Sequence, residues 1–185
     1  MKNIGQHCVM VIVTIVFFVV MLALNEWLFS SLEFVRGVNW IYLPAGVRLL
    51  CTLLFAGAGG VGLLIASWLV CFFYFFPDDM ARSFLGGIVA ALAPYAMYRI
   101  ARRWMGLGHA LNNLTASRLL ILSVLYALSN AVMHQIGGWL MGRGLHPDRL
   151  LVMLIGDLMG TLIMLYGAKL VLALMPARRN LYELQ

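Results

Sequence analysis

Seventeen consecutive residues, Cys8 to Leu24, carry no charged side chain, and the apolar run continues to Phe29 with Asn25 and Glu26 as its polar interruptions. At about 1.5 Å of rise per helical residue, the segment 8–29 is about as long as the ~30 Å hydrocarbon core of a bilayer requires. Comparable runs recur over 41–58, 60–76, 84–100, 119–141 and 150–174. Apolar residues make up 63% of the 185 and charged residues only 11%, against about 25% charged in a soluble domain. A chain of this composition cannot bury its apolar surface in a water-soluble core. The expected fold is therefore all-α: a polytopic integral membrane bundle of six transmembrane helices over 1–175, with a short tail over 176–185. Met1-Lys2 ahead of an apolar run could open a signal peptide, but the run is long for one and no small-x-small cleavage site precedes Asn25, so a retained first span is expected.

The weakest boundary lies within 41–76, which is too long for one span and barely long enough for two. The run Gly57-Ala58-Gly59-Gly60-Val61-Gly62 supplies the conformational freedom for a tight turn near Gly59 and Gly60. Pro77-Asp78-Asp79 and Gly142 to Asp148 read as turns. Pro44 and Pro94 are expected to kink the second and fourth spans.

Six spans can be tested against the basic residues, which accumulate on the cytoplasmic side of membrane proteins. With a cytoplasmic amino terminus, Lys2, Arg99, Arg102, Arg103, Arg118, Arg178 and Arg179 lie inside, against Arg36, Arg82, Arg143 and Arg149 outside. A five-span reading would turn the 99–118 cluster outward. Both termini are accordingly expected in the cytoplasm of a bacterial inner-membrane protein. Trp27, Trp40 and Trp139 would mark the outer interface and Trp104 the inner one. The net charge of +6 is explained by orientation, so the lipid bilayer, not nucleic acid, is the expected partner.

Ionisable groups inside spans cost about 2.5–3.5 kcal/mol on insertion scales and usually face a bundle interior. Arg48 and Asp157 each lie about seven residues in from the outer end of their spans, roughly 10 Å deep. His134 comes out at the same level, Asn130 one turn deeper and Glu26 nearer the surface. Four helices thus deliver polar groups to one outward-facing layer. A buried Arg48–Asp157 pair that fixes packing, a cavity receiving a small anionic ligand, and a proton relay through His134 and Asp157 are all compatible with it.

Gly156 and Gly160 form a small-xxx-small pattern around Asp157, and with Gly59 and Gly60 they offer flat faces for close helix packing. Cys8, Cys51 and Cys71 lack metal-ligand spacing, so neither metal nor cofactor is expected. No Gly-x-Ser-x-Gly, His-Glu-x-x-His, phosphate loop or catalytic pair is present. An enzyme is not expected.

Trp40-Ile41-Tyr42-Leu43-Pro44-Ala45-Gly46-Val47-Arg48, the glycine-rich segment 57–62 and Gly156-Asp157-Leu158-Met159-Gly160 resemble the bacterial membrane-associated sensor domain found ahead of diguanylate cyclases and histidine kinases. The resemblance covers most of the chain, in pattern order and approximate span count. It implies a sensor whose output is carried by another membrane or signalling protein, since no output domain follows Leu174. A small-solute transporter, a substrate-binding transporter subunit and a structural subunit of a membrane complex are the alternatives.

Overall fold

A computed structural model describes residues 2–108 and 114–174; the expected tail over 176–185 lies outside them. The element order is α1 (Lys2–Phe29), a 3-10 turn (Ser30–Leu32), a hairpin of β1 (Glu33–Val35) and β2 (Val38–Asn39), α2 (Leu43–Val70) continued by a π-helical turn (Cys71–Phe75), α3 (Met80–Trp104), α4 (Ala116–Leu140) and α5 (Pro147–Leu174). Among the described residues five helices are long and apolar enough to cross a membrane, as in a helical, multi-pass membrane protein. Large apolar side chains such as Ile4, Phe73, Leu125 and Leu151 remain exposed around the bundle. Phe18, Leu49, Leu63, Leu122 and Tyr126 fill its interior.

The segments expected as separate spans, 41–58 and 60–76, form the single element α2 with its π-helical continuation. That element is not straight. Ala56, with φ 50° and ψ −122°, departs from helical geometry and turns the chain back on itself. A Cβ on Gly59 would run into the backbone carbonyl of Cys51, eight residues earlier, whereas those positions in an unbroken helix stand about 12 Å apart. Arg48 before the break and Ser67 and Cys71 after it line the same cavity, which a straight helix could not achieve. The reversal falls at Ala56, not at the expected Gly59-Gly60, because those glycines serve packing: Gly59 lies on the Cys51 backbone and Gly60 on the Tyr95 ring.

Pro44 starts α2 instead of kinking it. It occupies the first turn, where a missing N–H costs nothing, and the N–H of Leu43 just before it donates to Oδ1 of buried Asn25 in α1 at 2.8 Å. The second arm of α2 then runs antiparallel along α3. Ser83 donates to the Cys71 carbonyl at 2.9 Å, the Trp68 indole donates to the Phe84 carbonyl at 3.0 Å, and Gly60 meets Tyr95. Pro94 sits within α3 and Asp79 caps that helix, accepting from the Arg82 N–H at 3.0 Å.

The expected packing role of Gly156 and Gly160 takes an unexpected form. Gly156 lies against the extended backbone at Asn39, whereas Gly160 lies against the start of α2, at Tyr42, Leu43 and Gly46. A Cβ on Gly156 would collide with the Asn39 carbonyl and one on Gly160 with the Tyr42 carbonyl. The Tyr42 N–H donates to the Gly156 carbonyl at 3.1 Å. This contact anchors segment 39–43 against α5 and fixes where Arg48 enters the bundle.

Candidate functional site

One cavity of about 150 Å³ runs from the Arg36–Gly37 turn and the α4–α5 link down to Arg48 and Asp157. Arg48, Asn130, His134 and Asp157 all line it, so four of the five residues placed in one layer from the sequence meet there. Glu26 does not line it; its carboxylate accepts from the Tyr74 hydroxyl at 2.8 Å.

Arg48 is 7% exposed and Asp157 2%. They do not form the ion pair anticipated as one reading. Among the described residues the ion pairs are Arg36–Glu33 and Arg143–Asp79. The Arg48 guanidinium instead lies 5.3 Å from the ring centres of both Phe18 and Tyr42, within cation–π range. Asp157 is held from a third helix: Asn130 Nδ2 donates to its Oδ2 at 2.6 Å. The two opposite charges therefore reach one cavity from different sides, each supported by its own neighbours.

Several polar atoms at this site have no partner. Buried Arg48 Nε, Asn39 Oδ1, Ser67 Oγ and Asn130 Oδ1 are without hydrogen bonds, and all four residues line the cavity. Buried polar groups in native proteins are normally satisfied, because each orphan costs about 1–3 kcal/mol. Their convergence on one space is what a polar occupant would relieve. Tyr126, fully buried, turns its hydroxyl toward the Arg48 guanidinium.

The wall is strongly basic. Arg36, Arg82, Arg143 and Arg149 join Arg48, with Asp157 as the sole carboxylate in the lining. Arg36 and Arg143 are balanced by Glu33 and Asp79, and the Arg82 guanidinium lies 3.5 Å from the Phe76 ring centre. At the rim, hydrogen bonds from the Arg143 guanidinium and the Arg82 N–H hold the Asp79 carboxyl below the ordinary carboxylate range.

From the sequence these four arginines signified orientation alone. A spacing signal was nevertheless present. Arg149, Met153 and Asp157 recur every fourth residue of α5, as do Tyr126, Asn130 and His134 of α4, which puts each set on one helix face. Asn39 and Ser67, short polar residues beside apolar runs, gave no such signal. Among the described residues no cluster of His, Cys, Asp or Glu could hold a metal.

The chain matches no protein-family model, no curated protein and no solved structure.

Proposed function

We propose that this protein is a small-ligand-binding, sensor-like protein of the bacterial inner membrane that takes up an anionic ligand from the outer side at Arg48. The observation that carries the reading is a buried arginine without an ion-pair partner, its Nε unsatisfied, at the floor of an arginine-lined cavity. An unpaired cation in that position is costly. An anion that brings its own hydrogen-bond acceptors removes the cost.

Six crossings with both termini cytoplasmic support an outward-facing mouth. Counting the arms of α2 on either side of Ala56 as two spans gives six crossings, and this topology would leave Arg99, Arg102 and Arg103 at the end opposite the mouth, as the positive-inside rule favours. Cysteine labelling of the 105–117 link tests this; reactivity from the periplasm would overturn it. The likeness to membrane-associated sensor domains rests on the motifs at 40–48, 57–62 and 156–160. A transporter reading is favoured by one feature, the broken α2 beside the cavity, since discontinuous helices commonly line transport sites.

The direct test is calorimetric titration of detergent-purified protein with small carboxylates, phosphate and sulfate, on wild type and Arg48→Gln. Because Arg48 breaks no ion pair when removed, the variant is expected to fold and to lose at least tenfold in anion affinity. Equal binding by both proteins would sink the proposal. Uptake into proteoliposomes then separates transport from sensing.

A further inference from the structure

Resting on that reading, the geometry points to a narrower ligand class: we infer that the cavity receives a small zwitterion, its carboxylate on Arg48 and its ammonium on the Asp157–Asn130 pair.

Two opposite charges facing one low-dielectric space attract strongly. Arg48 and Asp157 nonetheless make no ion pair. Their backbones explain the separation. Arg48 enters from the first arm of α2 and rests between the rings of Phe18 and Tyr42. Asp157 enters from α5, which is pinned to segment 39–43 at Gly156 and Gly160, and Asn130 of α4 engages one carboxylate oxygen. The result is a fixed pair of poles, positive at Arg48 and negative at Asp157, that line one cavity without an ion pair between them.

A simple anion would satisfy Arg48 and leave the Asp157 carboxylate facing a second negative charge. An amine would do the reverse. A ligand with both groups satisfies both poles, and its ammonium can also donate to the orphaned Asn130 Oδ1. Size agrees: a cavity of about 150 Å³ matches one that elsewhere holds a six-carbon ring, the scale of a free amino acid. The mouth is built from the Arg36–Gly37 turn and from Arg143, Gly144 and His146 of the α4–α5 link, so the ligand arrives from water, not sideways from lipid.

The test uses the full chain in detergent and matched probes that differ by one group: alanine against propionate, 4-aminobutyrate against butyrate, and propylamine as the amine alone. Calorimetry should give at least tenfold tighter binding to one of the amino acids than to its deaminated partner, and no binding of propylamine. Asp157→Asn should erase that ratio, loosening the amino acid and tightening the deaminated acid, which no longer faces a second carboxylate. Asp157→Glu, which keeps the charge, should retain the preference. Propionate or butyrate binding wild type as tightly as its amino counterpart overturns the zwitterion inference and leaves the anion site standing. No binding of any acid, nor of phosphate or sulfate, overturns both, whereas binding of phosphate or sulfate alone overturns the zwitterion inference and leaves the anion site standing. The wild-type ratio needs no variant, so a misfolded Asp157→Asn protein does not blunt the test.

Discussion

Asn130 and Asp157, on neighbouring helices, meet through a 2.6 Å hydrogen bond from the Asn130 amide to the Asp157 carboxylate, and both residues are 2% exposed. The bond joins α4 to α5 at the depth of Arg48 and sets the negative wall of the cavity. A buried acceptor that loses such a donor bears a full desolvation penalty, whereas two apolar replacements leave nothing unsatisfied.

Asn130→Leu is therefore expected to lower stability by about 1.5–3 kcal/mol, read as the midpoint of SDS-induced unfolding in mixed micelles. The double variant with Asp157→Leu should recover most of the loss. A single variant indistinguishable from wild type would show that the bond contributes nothing to holding α4 on α5.

The two glycines flanking Asp157 should behave unlike other glycines of the bundle. A methyl at Gly156 or Gly160 meets backbone carbonyls of Asn39 and Tyr42, which cannot swing aside, while one at Gly57 or Gly138 meets nothing within 4 Å. Gly156→Ala and Gly160→Ala should each cost about 1–3 kcal/mol, the usual penalty of overpacking. Gly57→Ala and Gly138→Ala should fall within about 1 kcal/mol of wild type, on the stabilising side, because alanine is the better helix former. Thermal midpoints of the four variants decide it, and equal effects at all four positions would remove the close-approach explanation.

Acid should loosen the rim before it loosens the bundle. The Asp79 carboxyl is held below the ordinary range by Arg143 and by the Arg82 N–H. A depressed folded-state pKa contributes stability that is complete above the unfolded value, about 3.9 for aspartate, and that fades as pH falls through the folded value. Wild type should thus lose thermal stability relative to Asp79→Asn between pH 5 and 3, and the gap between them should be constant from pH 6 to 8. A gap that widens on the alkaline side would contradict the assignment.

How much of this could be read from the chain depends on the length scale of the signal. Apolar runs of bilayer length announced every membrane helix, and the rarity of charge within them singled out Arg48 and Asp157. The shared face of Asn130 and His134 follows from helical period. The hairpin over 33–39 gave no signal, because strands of three and two residues are too short to show strand periodicity. Arg36 and Arg143 sit in two separate links and Arg82 and Arg149 in the first turns of α3 and α5, and only the fold brings them to one rim. Glycine misled at 57–62: conformational freedom marked a turn, but these glycines were needed for contact with Cys51, Tyr95 and Thr14. The turning residue is an alanine, which has no turn propensity to betray it.

That alanine gives the fold-back its sharpest test, because the two descriptions of α2 predict opposite signs. With φ at 50°, Ala56 holds a left-handed backbone that its Cβ opposes, a strain of order 1–2 kcal/mol which glycine does not incur. Ala56→Gly should then stabilise the protein, by about 1 kcal/mol once the greater chain entropy of unfolded glycine is subtracted. Were residues 43–70 one continuous helix, the same substitution would place glycine in a helix interior and destabilise by about 1 kcal/mol. Ala58→Gly, two residues on and within the second arm, supplies the control and should destabilise under either description. A rise in the unfolding midpoint for Ala56→Gly together with a fall for Ala58→Gly supports the reversal at Ala56. A fall for both argues for a straight helix, and with it against Arg48 and Cys71 sharing a cavity.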